Sequence, residues 1–143
     1  MCSMTTELQK IANFKDKSLL IVDDDNPFRE RLARAMEKKG FDVSQAQGVK
    51  AGIESVKLNK PAFAVVDLRL GDGNGLEVVK QIQNSNSESR IIMLTGYGNI
   101  PTAVAAIKEG AIDYLAKPAD ADDVEKALLA DPETKAQPPE NPM

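Results

Sequence analysis

Histidine is missing from the 143 residues, and cysteine occurs once, as Cys2. Without an imidazole, and with a single thiol, a tetrahedral zinc site and a Ser-His-Asp or Cys-His mechanism are excluded. An internal disulfide is excluded too, which suits a reducing compartment and makes the cytoplasm the expected location. No apolar run approaches the roughly 20 residues that span a bilayer, so no membrane insertion is expected. The first 17 residues lack an apolar core followed by a small-residue cleavage site, so they do not read as a secretory signal. A basic excess is also absent: 18 Lys and Arg stand against 22 Asp and Glu, for a formal charge of −4. That charge argues against this chain wrapping a phosphate backbone by itself, which would need a basic face. Chemistry here must come from carboxylates, hydroxyls, lysine and backbone groups.

What is present is an alternation of short apolar runs and amphipathic stretches, with no repeat of fixed period. Ser18–Val22 (SLLIV) reads as a strand buried on both faces. Asn26 can cap a helix with Pro27 at its first position; Phe28, Leu32, Ala35 and Met36 fall at helical spacing, and Gly40 stops it. Phe41–Ala46 is a weaker second strand, followed by a helix over Val49–Leu58 with Ile53 and Val56 inward. Ala62–Val66 (AFAVV) is a third strand, broken by the turn-rich run Gly71-Asp72-Gly73-Asn74-Gly75. Leu76, Val79 and Ile82 mark a third helix, Arg90–Leu94 a fourth strand, and Ile100, Val104 and Ile107 a fourth helix closed by Gly110. Ile112–Ala116 makes a short fifth strand, and Asp120 caps a last helix with Val124 and Leu128 four apart. Five β-then-α units predict an α/β fold, a parallel sheet with helices on both faces. After Ala130 the tail DPETKAQPPENPM has four prolines in thirteen residues, a linker composition.

In such sheets ligands bind beyond the carboxyl ends of the strands. Those ends carry Asp23-Asp24-Asp25, Asp67, Thr95 and Lys117-Pro118. Carboxylates gathered together repel unless a cation intervenes, and a hard divalent ion with oxygen ligands is the natural partner. Aspartate can also attack phosphorus and carry the phosphoryl group as an acyl phosphate. Taken singly, each residue has a plainer explanation. Asp25 fits a helix cap, Asp67 and Thr95-Gly96 fit turns, Lys117 fits a solvated surface turn, and Tyr114 fits a strand residue packed on a helix. The convergence of all of them on one sheet edge favours the chemical reading.

The set V-D-D after the first strand, D-x-R-L-x-x-x-x-G after the third, T-G after the fourth and K-P after the fifth resembles the receiver domains of bacterial response regulators. The resemblance covers about residues 17–130 and implies a flavodoxin-like (βα)5 fold with sheet order 2-1-3-4-5. It implies Asp67 as phosphoacceptor, with Mg²⁺ (Mn²⁺ as an alternative) bound by Asp24 directly, by Asp23 mainly through water, by Asp67 and by the backbone carbonyl of Arg69. It further implies that Thr95 and Lys117 contact the phosphoryl oxygens, and that Tyr114 is an aromatic switch following Thr95. Gly96 would leave room for the phosphoryl donor, Lys117-Pro118 would be a cis peptide, and the Arg69 and Tyr97 side chains would tune the acyl phosphate lifetime. The protein would then be a regulatory phosphoacceptor and not a conventional enzyme.

The segments DDDNPFRERLARAMEKKGF, DLRLGDGNGLEVV and LTGYGNIPTAVAAIKEGAIDYLAKPADADDVEKALLA are similar to the RegA/PrrA/ActR group of redox-responsive two-component regulators of proteobacteria. This likeness implies an arm at 1–16, a receiver domain at 17–130, and a proline-rich linker at 131–143 toward a helix-turn-helix DNA-binding domain that the chain does not contain. The expected partners are a membrane sensor histidine kinase and that output domain, with DNA bound only through the latter. A phosphorylation-driven homodimer is expected on the face of the fourth helix, fifth strand and last helix, which carries Lys108, Glu109, Asp113, Asp122 and Asp123. A haloacid-dehalogenase-like phosphatase wants a second Asp two residues after the nucleophile, where Arg69 stands. A flavodoxin-type cofactor binder would place FMN phosphate against three acids.

Overall fold

A parallel strand buried on both faces needs apolar residues at consecutive positions, and the sheet is built from three such runs flanked by two less buried edge strands. The computed structural model describes residues 16–96, 104–105, 107–108, 110–117 and 119–130. The expectations that fall on residues 1–15 with Cys2, on Tyr97, Ile100, Glu109 and Pro118, and on the linker 131–143 lie outside the described residues.

The elements run β1 (Ser18–Val22), α1 (Asn26–Lys38), β2 (Asp42–Ala46), α2 (Val49–Asn59), β3 (Phe63–Asp67), β4 (Arg69–Leu70), β5 (Gly73–Asn74), α3 (Gly75–Ser85), β6 (Arg90–Thr95), β7 (Asp113–Ala116) and α4 (Ala121–Leu129). Val104, Ala105, Ile107 and Lys108 are helical between β6 and β7, with Val104 and Ile107 exposed. The main sheet is parallel throughout, in the order β2-β1-β3-β6-β7. With the small antiparallel pair β4-β5 set apart, this is the expected order of five strands. Among the described residues no helix is long and apolar enough to cross a membrane.

Strand alternation divides the core in two. Leu19, Ile21, Phe63, Val65, Ile92 and Leu94 pack on one face with Phe28, Leu32 and Met36 of α1 and Val124 and Leu128 of α4. Leu20, Val22, Ala64, Val66, Ile91 and Met93 pack on the other with Val49 and Val56 of α2 and Val78, Val79 and Ile82 of α3. Because both faces are apolar, the period of two is hidden in the sequence.

The structure refines several local readings. The first helix is capped by Asp25, whose carboxylate accepts from Phe28 N at 3.1 Å, while Asn26 is its first residue and accepts from Arg29 Nη1. The third strand extends one residue further, so Asp67 closes β3 rather than following it. The glycine-rich run is a two-residue hairpin, with Arg69 opposite Asn74 and Leu70 opposite Gly73. Asp120 caps the last helix as its position predicts, accepting from Asp123 N at 2.9 Å. At that helix's other end, Arg90 of β6 donates to the carbonyls of Leu128 and Ala130 at 3.1 and 2.8 Å. Lys39 bridges α1 to α4 through Asp122 and Glu125, so Asp122 already has a partner within its own chain.

Gly75 begins α3 in close quarters. Its N–H donates to Leu68 O at 2.8 Å. A Cβ there would overlap the Asp67 carbonyl oxygen and lie 3.0 Å from Val66 Cγ1. Backbone on one side and core on the other leave nowhere to yield. Gly75→Ala is therefore expected to cost about 1–3 kcal/mol. Urea denaturation should show this as a lower midpoint at unchanged slope.

Candidate functional site

Alternation also decides which polar residues meet. Asp23 continues the parity of Leu19 and Ile21, Asp67 that of Phe63 and Val65, and Lys117 that of Leu115. All three therefore emerge on the α1/α4 side of the sheet, at the carboxyl ends of β1, β3 and β7. There the Lys117 ammonium lies 3.0 Å from Asp23 Oδ2, 3.3 Å from Asp23 Oδ1 and 3.3 Å from Asp67 Oδ2. Its main-chain N–H donates to Thr95 O at 2.8 Å, which ties the turn after β7 to the end of β6.

Asp23 is fully buried and Asp67 nearly so, whereas Asp24 is exposed. Asp23 also accepts from Asp25 N at 2.8 Å, and Asp67 accepts from Arg69 N at 3.4 Å. Burial and the charge of Asp23 push the Asp67 carboxyl up to about 6, against the opposing pull of Lys117 and the Arg69 amide. Burial works to lower the Lys117 ammonium, but its hydrogen bonds and attraction to Asp23 and Asp67 together hold it above its usual range.

One carboxylate oxygen from each of Asp23, Asp24 and Asp67 falls within 4.8 Å of the others. Oxygens on an octahedral Mg²⁺ lie roughly 3.0 Å apart when cis and 4.2 Å when trans, so this all-oxygen, acidic donor set suits a hard divalent ion once its carboxylates draw together. Arg69, at the start of β4, has an exposed side chain. Thr95 ends β6 and is buried; its parity with Ile91 and Met93 puts it on the α2/α3 side. Tyr114 shares that side, half-buried against the same core. Gly96 follows Thr95 and is half-exposed. The structure thus joins Asp23, Asp24, Asp67 and Lys117 in one cluster, with Thr95 and Tyr114 across the sheet.

Three supporting residues escape a reading of strand ends. Phe28 lies beneath Lys117, its ring centroid 4.9 Å from the ammonium, a contact that holds the lysine stem as well as its charge. Arg29 is buried and donates to Asp23 O at 2.8 Å, to Asn26 Oδ1 at 2.6 Å and to Gln45 Oε1 at 2.9 Å. It joins the end of β1 to α1 and β2. Its signal in the sequence was an arginine standing three and four residues before Leu32 and Ala33, within the buried stripe. The third, Asp72, gave no local signal, because its hydrogen-bond partners Val49 and Lys50 lie on α2.

Residues 19–129 match the family model of the response regulator receiver domain. The chain is 61% identical over 128 residues to the photosynthetic apparatus regulatory protein RegA of Rhodobacter capsulatus, covering 90% of this chain and 70% of that protein. It is 59% identical over 128 residues to the acid tolerance regulatory protein ActR of Sinorhizobium medicae, covering 90% of this chain and 66% of the relative. It thus spans about two thirds of the length of these curated relatives. Among solved structures, a response regulator from Burkholderia pseudomallei with a phosphorylated aspartic acid, a calcium ion and citrate superposes with a TM-score of 0.77 at 38% identity, over 83% of this chain and 70% of that one. A CheY-like receiver domain protein from Methanospirillum hungatei gives 0.76 at 25% identity, over 85% and 97%. With the model running from the first strand of the sheet through the last helix, the chain belongs to the receiver-domain family of response regulators.

Proposed function

We propose that Asp67 accepts a phosphoryl group from a phosphohistidine of a sensor histidine kinase, and that its phosphorylation controls a transcription-regulating output domain. The observation that carries this reading is the meeting of three carboxylates and one ammonium at the ends of β1, β3 and β7. A response regulator 38% identical to this chain is described with a phosphorylated aspartic acid and a calcium ion, which supports it.

In this reading a carboxylate oxygen of Asp67 attacks phosphorus as the P–N bond to the imidazole breaks, and the departing imidazole keeps the bonding pair and takes up a proton. Asp23, Asp24, Asp67 and the Arg69 carbonyl would hold Mg²⁺ or Mn²⁺. The bound ion supplies positive charge to the phosphoryl oxygens and relieves the repulsion among the acids. Lys117 transfers its ammonium from the carboxylates to a phosphoryl oxygen, guided by Phe28. Thr95 donates its hydroxyl to another, and Gly96 leaves space for the donor. Tyr114, on the same side of the sheet as Thr95, turns inward as the threonine moves. Arg69 and Tyr97 shield the acyl phosphate from water and set its lifetime. The message leaves by the face of the helical segment that carries Lys108, β7 and α4, where phosphorylation favours a homodimer. It passes through a linker at 131–143 to a helix-turn-helix domain, in a cytoplasmic, redox-responsive regulator fed by a membrane kinase.

Incubation with acetyl phosphate and Mg²⁺ should add one phosphoryl group, labile to hydroxylamine, by intact mass. No labelling of wild type, or undiminished labelling of Asp67→Asn, would sink the proposal.

The raised Asp67 carboxyl gives a pH signature of known sign. Its ordinary value is 3.8 and its folded value about 6. Its stabilising contribution is therefore complete below the ordinary value and lost as pH rises through about 6. Without metal, Asp67→Asn should accordingly melt higher than wild type at pH 7.5 but not at pH 4. Protons compete for the same oxygens, so Mg²⁺ affinity should be level above neutrality and fall about tenfold per pH unit well below 6. Calorimetric titration across that range checks it.

A further inference from the structure

Helix α2 begins after Gly48, an N-cap position in extended backbone with no side chain to accept a hydrogen bond. Its first amides are served from elsewhere. The carboxylate of Asp72, 23 residues beyond Val49, accepts from Val49 N at 2.7 Å and from Lys50 N at 3.2 Å. These bonds favour the ionised acid and hold it below its ordinary range. A Cβ at position 48 would lie 2.7 Å from Asp72 Oδ1, so glycine at 48 is what admits the remote cap.

The segment that carries Asp72 is the β4-β5 hairpin, and it borders the phosphoacceptor site along its length. Leu68 and Leu70 are buried in the α2/α3-side core. Arg69 N donates to Asp67 Oδ1, and a Cβ on Gly71 would lie 3.4 Å from Asp24 Oδ2. The two leucines fix one end of the hairpin, and the Asp72 bonds to α2 fix its tip. Between these anchors lies the stretch that faces Asp67 and Asp24.

We infer that Asp72 is a positioning residue: by capping α2 from a distance, it sets residues 69–71 in the geometry that the divalent cation requires. The inference rests on the reading of Asp67 and its neighbours as a Mg²⁺-assisted phosphoacceptor site. The Asp72 carboxylate is engaged by the amides of α2 and is not one of the three clustered acids. Released from α2, the hairpin tip would have to be ordered when the cation binds, and that ordering would appear as lost affinity.

Asp72→Ala in the 143-residue chain should melt a few degrees lower, as loss of a helix cap does. It should also bind Mg²⁺ roughly tenfold more weakly by calorimetry at pH 7.5, the usual size for a group that supports a metal ligand. Gly48→Ser added to Asp72→Ala separates the two effects. The serine enters space that the carboxylate vacates and gives α2 its own cap, so the melting temperature should recover while Mg²⁺ binding stays weak. Asp72 is a cap and nothing more if Asp72→Ala binds Mg²⁺ as wild type does, or if affinity returns together with stability in the double variant. Wild type that binds no Mg²⁺ would remove the phosphoacceptor reading itself, and this inference with it.

Discussion

The contact between Lys117 and the paired acids Asp23 and Asp67 is the constraint around which the carboxyl edge of the sheet is arranged. An uncompensated buried carboxylate costs several kcal/mol. The adjoining Val22 and Val66, fully buried, each return about 1.5–3 kcal/mol, so the core can hold two strand ends against one another only if the charges are managed. The ammonium between them does this in part. Asp67 is left nearer neutrality than an ordinary aspartate, and the edge is primed for a further cation. Phe28 under the lysine and Arg29 behind the Asp23 carbonyl extend the arrangement into α1. The first helix is thereby part of the site although it contributes no acid.

Parity gives the edge a second layer of organisation. Asp23, Asp67 and Lys117 leave the sheet toward α1 and α4, while Thr95 and Tyr114 fall on the α2/α3 side. Charge is gathered on one side and the hydroxyl and phenol on the other, with the Thr95 carbonyl bonded to the Lys117 amide between them. One backbone hydrogen bond at the ends of two adjacent strands thus joins the two sides.

Much of this was legible in the sequence, because parallel strands announce themselves as apolar runs and the residues ending them are read off directly. Asp23, Asp24, Asp67 and Lys117 were found in that way, and the sheet order followed from the family resemblance. What was not legible depends on partners far along the chain. Asp72 looks like a turn former until α2 is placed beside it, and Gly48 looks like a missing cap until Asp72 fills its place. The preference for Asp25 over Asn26 as cap of α1 is a competition between two neighbours of similar propensity. In the structure the Asp25 carboxylate takes the Phe28 amide, while the Asn26 side chain is engaged by Arg29.

Arg90 closes α4 from the middle of the sheet, since β6 has β3 on one side and β7 on the other. A terminal helix lying alone on a sheet face would be the first element to peel away under tension applied at its end. Here the main chain at Leu128 and Ala130 is fastened to an interior strand by a single guanidinium nitrogen, Nη1 of Arg90. A pull at that point is shared with β6 and, through its hydrogen-bonded ladders, with β3 and β7. The end of α4 is thereby tied to the sheet by side-chain hydrogen bonds as well as by packing.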